Sequence, residues 1–153
     1  MIIDKFNEFC DATSVAGSAG TALVGNVIDL GAASRDVGNG EPLYLVIQTD
    51  TEIITGGSAG TIQFQLASDS TADLATSATV HFASATLVTD DAAANSAALN
   101  AGGVIAAVAL PQGTYERYLG ILAVIGTTTV TAGKINAFLT KDVASWKAYA
   151  DAL

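Results

Sequence analysis

The stretch ALPQGTYERYLGILAVIG, residues 109–126, decides the fold. Its second half is the most continuous apolar run in the chain, and both alternating sets of side chains along it are apolar. One set is Leu119, Ile121, Ala123 and Ile125, and the other is Tyr118, Leu122 and Val124. Since a half-solvated strand alternates apolar with polar residues, this pattern predicts an interior strand that is covered on both faces. We expect the other segments to pack around it.

Short segments rich in Val, Ile, Leu and Thr lie on either side of this run, and turns containing Gly, Pro or Ser separate them. Such segments are typical of short strands. The predicted strands comprise residues 23–30, 43–49, 61–67, 78–88, 103–110, 116–126 and 130–140, where 78–88 forms either one strand or two short ones. We expect the second of these to be interior and the third to have one wet face. The last three are expected to form an antiparallel meander.

Strands that recur at a spacing of roughly ten residues favour a β-sandwich over a helical fold. The chain has 153 residues, which is the length of one ordinary domain. We therefore expect an all-β protein in which residues 1–153 form a single antiparallel β-sandwich, jelly-roll-like in architecture, with extended N- and C-terminal arms.

The two ends of the chain carry apolar side chains outside the strand pattern. Residues 1–22 are interpreted as an N-terminal arm and tether, because residues 12–22 are Gly, Ser, Ala, Thr and Val and are typical of a flexible connector. Residues 141–153 are interpreted as a C-terminal tail. The candidate interface residues at the ends are Ile2, Ile3, Phe6, Phe9, Trp146 and Tyr149. Packing of either end on the domain's own core is the alternative.

Composition excludes several classes of function. The chain has 6 basic and 15 acidic residues, a net charge of −9, and its basic residues form no cluster. A surface of this sign repels phosphate backbones, so we expect no nucleic-acid partner. Cys10 is the sole cysteine, which rules out an internal disulfide and favours a reducing compartment. We expect a soluble protein made in a cytoplasm, with no membrane partner.

A possible catalytic motif occurs at residues 56–60, GGSAG, which matches the pattern of a nucleophile elbow. Ser58, followed by Asp69 or Asp73 and then by His81, even has the order of a hydrolase triad. The elbow requires a strand before the serine and a helix after it, whereas here a strand is predicted to follow. We therefore interpret the motif as a glycine-rich hairpin turn and expect no enzymatic activity.

Metal and cofactor sites also lack a basis in the sequence. His81 is the only histidine, so it cannot anchor a transition-metal site without a second ligand of its kind, and we expect a surface or hydrogen-bonded strand residue. Asp69 and Asp73 lack the glycine and the terminal glutamate of an EF-hand loop, which leaves only a weak calcium site as an alternative. We expect no metal and no cofactor.

Glu116 and Arg117 are adjacent at the start of the central strand, so in a regular strand their side chains point to opposite faces and cannot pair with each other. Arg and Tyr are favoured at protein interfaces. Tyr115, Glu116, Arg117 and Tyr118 are therefore candidate interface residues. The alternative is that one charge of the pair binds a partner from a loop, such as Asp36.

Four segments, taken in order, carry a family resemblance. They are FCDATSV at residues 9–15, NVIDLGAASRDVGNGEPLYLVIQ at 26–48, LPQGTYERYLGILAVIG at 110–126 and AGKINAFLTKDV at 132–143. Together they resemble the capsid cement (decoration) proteins of tailed bacteriophages, the family that includes the cement protein of a Bordetella podovirus. The resemblance runs from residue 9 to about residue 143. Ser34 is an addition within the Ala-Arg-Asp segment.

The resemblance implies a small, self-associating β-sandwich on the outer surface of an assembled phage head. There it would clamp neighbouring subunits of the major capsid protein. The implied partners are the major capsid protein and further copies of the chain itself, as a dimer or trimer, after synthesis in the host bacterial cytoplasm. A carbohydrate-binding β-sandwich module of an adhesin or tail fibre is the alternative, and it would need an exposed row of aromatic side chains.

Overall fold

The computed structural model describes residues 5–31, 35–37, 40, 42–57, 60–90 and 95–143. Regular structure in these residues consists of eleven strands and two single-turn 3-10 helices, Lys5–Asn7 and Ala97–Leu99. The strands are β1 (Glu8–Ser14), β2 (Gly20–Asp29), β3 (Arg35–Val37), β4 (Tyr44–Thr55), β5 (Thr61–Asp69), β6 (Thr79–Ala83), β7 (Leu87–Val88), β8 (Val104–Ala109), β9 (Gly113–Tyr115), β10 (Tyr118–Gly126) and β11 (Val130–Thr140).

The long strands form two antiparallel sheets. One has the order β1-β11-β4-β8, and the other has the order β2-β10-β5-β6 with β7 also paired to β5. The pairing is nested along the chain, since β1 pairs with β11, β2 with β10, β4 with β8 and β5 with β6. Nested pairing across two packed sheets is the arrangement of a jelly roll. The predicted antiparallel β-sandwich with jelly-roll-like architecture is confirmed.

The predicted meander of the last three long strands is wrong. β8 and β11 lie in one sheet with β4 between them, whereas β10 lies in the other sheet. The chain crosses between the sheets after β10, and Thr127 adopts a positive φ of 62° in that link. A short polar link can serve a hairpin or a crossover equally well, so the link's composition does not distinguish the two.

The two-sided burial predicted for the central strand is confirmed. β10 lies between β2 and β5, and its Leu119 and Ile121 have no exposed surface in the sandwich core. On its other face, Leu122 packs in a second cluster with Leu74. The loop after β5 therefore covers the outer face of this sheet. Core residues contributed by other strands include Leu45, Ile47, Ile53, Ile62, Phe64, Leu66, Ile135, Ala137 and Leu139.

Two further strand predictions hold. β4 is interior, between β11 and β8. In β5 the apolar set, with Phe64 at its centre, is fully buried, while Gln63 and Gln65 are half-buried and their side chains hydrogen-bond to each other at 2.9 Å. β5 therefore presents one polar face, as its alternation predicts.

The flexible connector predicted at residues 12–22 is wrong. β1 continues to Ser14 and β2 begins at Gly20, and Gly17 between them exchanges two backbone hydrogen bonds with Val130, at 2.9 and 3.0 Å. Beyond this segment, Gly25 of β2 lies so close to β1 that a Cβ there would overlap the backbone of Phe9. Phe9 itself has no exposed surface, so packing on the domain's own core is the correct alternative for it.

The remaining predictions for the two ends lie largely outside the described residues. Ile2, Ile3, Trp146 and Tyr149 belong to parts of the chain that the structure does not describe. In the parts it does describe, none of the helices has the length and apolar character needed to span a bilayer.

Candidate functional site

The residues that stand out in the sequence, Tyr115 to Tyr118, join the small β3–β9 ribbon to the central strand. β9 ends at Tyr115, whose backbone lies opposite Arg35 of β3, and β10 begins at Tyr118. The amide of Leu30, just after β2, donates to the carbonyl of Arg117 at 2.8 Å. The link between the two strands is therefore fixed to the end of β2.

Tyr115 is a core residue. It has no exposed surface, and its hydroxyl donates to the carbonyl of Pro111 at 2.6 Å. Its ring stacks on the imidazole of His81 in β6, with a centroid distance of 3.9 Å and an interplanar angle of 24°. Burial raises the pKa of Tyr115 above its ordinary value. The prediction that Tyr115 is an interface residue is wrong, because its side chain is inside the domain.

His81 is a hydrogen-bonded strand residue, as predicted. Its Nε2 lies 2.7 Å from the Oγ of Ser68 in β5, and the same Oγ accepts the backbone amide of Glu116 at 3.0 Å. Burial lowers the pKa of His81, and the nearby charge of Glu116 opposes that shift. We name Ser68, His81, Tyr115 and the backbone of Glu116 the Tyr115 network.

The Tyr115 network contains a Ser–His hydrogen bond without the access that catalysis needs. Ser68 has no exposed surface, so a substrate cannot reach its hydroxyl in this structure. The serine of the predicted elbow pattern, Ser58, lies outside the described residues. The contacts of Ser68 thus join β5, β6 and the link before β10, which is a structural role.

The two aspartates considered for calcium stabilise the loop after β5. Burial disfavours the charged form of Asp69, but hydrogen bonds, first from the backbone of Thr71, hold its pKa below the ordinary value. Asp73 accepts from the hydroxyl of Thr71 at 2.8 Å. No cluster of three or more His, Cys, Asp or Glu that could hold a metal occurs within the described part of the chain.

Arg117 forms a bidentate ion pair with Asp29 at the end of β2. Its Nε and Nη2 donate to the two carboxylate oxygens, each at 2.9 Å, and its guanidinium lies 5.0 Å from the ring centroid of Tyr118. The hydrogen bond from Arg117 lowers the pKa of Asp29 to about 2. One charge of the pair therefore binds an acid, as the alternative predicted, but that acid is Asp29 at the end of strand β2 and not a loop residue. The side chain of Asp36 lies outside the described residues.

The side chains of Glu116 and Arg117 are partly exposed to solvent, although each forms hydrogen bonds within the domain. The Arg117 side chain is 46% exposed and that of Asp29 is 44% exposed. Glu116 accepts a hydrogen bond from the hydroxyl of Thr79 in β6 at 3.2 Å. The pairing of Arg117 with Asp29 could not be read from the sequence, because 88 positions separate the two residues.

A surface groove lies on the other side of Asp29. Its volume is about 620 Å³, and it borders Phe6, whose side chain is 87% exposed. The lining residues are Lys5, Phe6, Glu8, Asn26, Val27, Ile28 and Asp29. The sequence indicated Phe6 as a candidate interface residue but not the groove, because the groove's other wall comes from β2.

Cys10 has no reactive character in this fold. It is buried in β1, and its Sγ lies 3.7 Å from the carbonyl oxygen of Ile135. Burial raises the pKa of its thiol to about 12. Since the thiolate is the reactive form, Cys10 serves as a small core residue.

Comparison with known proteins identifies a family to which the chain is similar. The chain matches the Bbp16 family over residues 9–139. The match begins in β1, at the buried Phe9, and ends in β11, so it covers the whole jelly roll. A search of curated proteins found no match. The matched range includes the Tyr115 network and the Arg117–Asp29 ion pair. Because the match covers most of its length, the chain belongs to the Bbp16 family of Bordetella phage structural proteins.

Proposed function

We propose that the protein binds the outer surface of an assembled phage head and stabilises contacts between subunits of the major capsid protein. The observation that carries this proposal is the extent of the family match, residues 9–139. What the chain shares with this family of phage structural proteins is therefore the complete sandwich. A compact sandwich is suited to act as a rigid clamp on a larger surface.

The surface chemistry favours a place outside the DNA compartment. The net charge of −9 would repel packaged DNA but does not oppose contact with an uncharged or basic patch of a protein shell. Exposed Phe6 beside its groove offers an apolar anchor of the kind that protein interfaces favour. We assign the groove as the first candidate for contact with the major capsid protein.

The buried Tyr115 network favours a structural role over a catalytic one. Its Ser68 and Tyr115 have no exposed surface, so their polar groups stabilise the domain. The carbohydrate-binding alternative gains no support, because a row of exposed aromatic rings is not found among the described residues. Phe9, Phe64, Tyr115 and Phe138 are buried.

Self-association is part of the proposal, because a shell presents many copies of each binding site. A protein that joins two or more copies of itself binds such a surface more tightly than its single contacts allow. Protein that binds the assembled shell better than its free subunits stabilises the shell by mass action. The expected partners are thus the major capsid protein and further copies of this chain.

Co-sedimentation tests this function. Purified protein is mixed with heads that lack it and with unassembled major capsid subunits, and the bound protein is measured after centrifugation. We expect saturable binding to heads and much weaker binding to free subunits. Phe6→Ser should reduce binding, whereas Val80→Ser, at an exposed valine of β6, serves as the matched control. Absence of binding to heads would refute the proposal.

A further inference from the structure

One buried hydroxyl group connects His81 of β6 to the link between β9 and β10. Nε2 of His81 lies 2.7 Å from the Oγ of Ser68, and that Oγ accepts the backbone amide of Glu116 at 3.0 Å. Within the described residues the hydroxyl has no third hydrogen-bond partner, and Ser68 has no exposed surface. The hydroxyl therefore depends on these two partners.

The protons on these groups determine the direction of each hydrogen bond. A serine hydroxyl has one hydrogen and two acceptor lone pairs. The amide of Glu116 uses one lone pair of Ser68, so the hydroxyl hydrogen has Nε2 of His81 as its acceptor. Nε2 must then be unprotonated, and the neutral ring carries its hydrogen on Nδ1. The opposite tautomer would leave a buried hydroxyl hydrogen without an acceptor.

The groups that face His81 include one charge. Among the described residues this charge is Glu116, which favours the protonated ring. Tyr115 stacks on the imidazole, and burial raises its pKa, so it stays neutral. On β5, Asp69 follows Ser68 and bonds to the loop after the strand, and β6 itself has no other titratable side chain. The state of His81 is thus set by Ser68 and burial against Glu116.

Protonation of His81 disfavours the closed arrangement. A protonated Nε2 can only donate, so Ser68 would have to accept two N–H groups and its own hydrogen would lose its acceptor. Since Ser68 is buried, that hydrogen finds no replacement among the described residues unless water enters. Burial also lowers the pKa of His81, which is the shift that this arrangement requires.

We propose that Ser68 and His81 form a pH-sensitive switch, in which the neutral imidazole holds the link between β9 and β10 closed and protonation opens it. A proton from solvent binds Nε2, water replaces the imidazole as acceptor of the hydroxyl hydrogen, and the amide of Glu116 loses Ser68 as its partner. The carbonyl of Arg117 keeps its bond to the amide of Leu30, so the opening is local.

The switch acts on a surface of the protein. The link carries the partly exposed side chains of Glu116 and Arg117, and its backbone is held by Ser68 on one side and by Leu30 on the other. Loss of the first contact frees the backbone at Glu116 while the second is kept. The position of the Glu116 carboxylate on the surface therefore depends on pH.

NMR of the free wild-type chain tests the switch. His81 is the only histidine, so imidazole signals belong to it. At mildly alkaline pH we expect the tautomer protonated on Nδ1. The released ring has the ordinary pKa of 6.5, so protection of the Glu116 amide from hydrogen exchange, relative to an unstructured peptide, should fall about tenfold per pH unit below it until the pKa of the closed form is reached.

The matched internal control is the amide of Leu30, bonded one residue further along the link, which should lose much less protection. In His81→Phe the ring cannot take up a proton, so the pH dependence at Glu116 should disappear. Glu116→Gln keeps the amide and removes the charge that favours the protonated ring, so the loss of protection should move to lower pH.

Three results would overturn the switch, and each comes from the wild type. A neutral ring protonated on Nε2 would contradict the hydrogen-bond directions. Protection of Glu116 that does not change while His81 titrates would mean that the ring is protonated without opening the link. Equal losses at Glu116 and Leu30 would mean that a larger part of the domain opens.

Discussion

The Tyr115 network and the β8 edge differ in how their polar groups are used. In the network, Ser68 binds both His81 and the amide of Glu116, and Tyr115 donates to Pro111. At the edge, the backbone groups of Ala107 and Ala109 have no partner within the described residues. The aromatic and charged residues 115–118 thus make their contacts inside the domain. The alanine- and valine-containing strand β8 has backbone groups that do not bond within the described residues.

This difference shows that a residue's type does not determine whether it contacts a partner. Tyr is a favoured interface residue, yet Tyr115 is buried because β6 and the Pro111 carbonyl satisfy its ring and hydroxyl. Alanine is a poor interface residue by type, yet on an edge strand its backbone can pair. Changes to the network should therefore reduce folding stability.

Tyr115→Ala should have the largest effect on stability. It removes a buried ring and its stack on His81, and truncation of a buried aromatic costs about 3–5 kcal/mol. Urea unfolding of the variant measures the loss. Tyr115→Phe is the control, since it keeps the ring and loses only the bond to Pro111, at a cost of about 1 kcal/mol. A near-neutral Tyr115→Ala would show that the ring is not part of the core.

Ser68→Ala should have the next largest effect. It leaves the amide of Glu116 and the imidazole of His81 without their shared partner, and unsatisfied buried groups cost about 1–3 kcal/mol. The unfolding free energy from urea titration is again the measurement. Ser77→Ala, at an exposed serine of the loop between β5 and β6, should change stability much less. Equal effects of the two substitutions would argue against the network.

Acidification should reduce stability through His81. Burial lowers its pKa in the folded state below the ordinary 6.5, so the neutral form is favoured by folding. Stability is therefore fully present above pH 6.5 and is lost as the pH falls toward the lowered value. His81→Phe keeps a ring beside Tyr115 and should remove this component from the pH profile of unfolding. Identical profiles for both proteins would contradict the assignment.

Arg117→Ala should have the smallest effect on stability, because the Arg117–Asp29 pair is nearly half exposed and solvent screens it. The effect should shrink further at high salt. Since Arg117 lowers the pKa of Asp29 to about 2, the pair's contribution is present above pH 3.8 and lost as the pH falls toward 2. NMR titration of Asp29 should show its pKa rising in Arg117→Ala. An unchanged pKa would refute the ion pair in solution.

The sequence predicted those features that depend on local alternation. Leu119 and Leu122 belong to opposite apolar sets of one strand, and each lies in a different cluster, as their positions require. The crossing between sheets after β10 was not predictable, because the residues that permit it also suit a hairpin. The small residues of 12–22 indicated a flexible connector from composition, whereas the end of β1, the start of β2 and the pairing of Gly17 with Val130 give this segment regular structure.

The site was less predictable than the fold, because its contacts are distant in sequence. Arg117 and Asp29 are 88 positions apart, and Ser68 and Glu116 are 48 positions apart. The side-chain types of residues 115–118 predicted that they contact other residues, but not that those residues lie inside the same domain. The groove beside Phe6 was likewise not predictable, because its second wall is formed by β2, whose position relative to Phe6 the sequence does not give.

The thermal stability of phage heads tests the proposed function most directly. Heads that lack the protein are heated in a scanning calorimeter with increasing amounts of the purified chain. If the protein binds the assembled shell in preference to its free subunits, the disruption temperature of the heads should rise with protein concentration and level off at saturation. A disruption temperature that does not change at any concentration would contradict a role in stabilising the head.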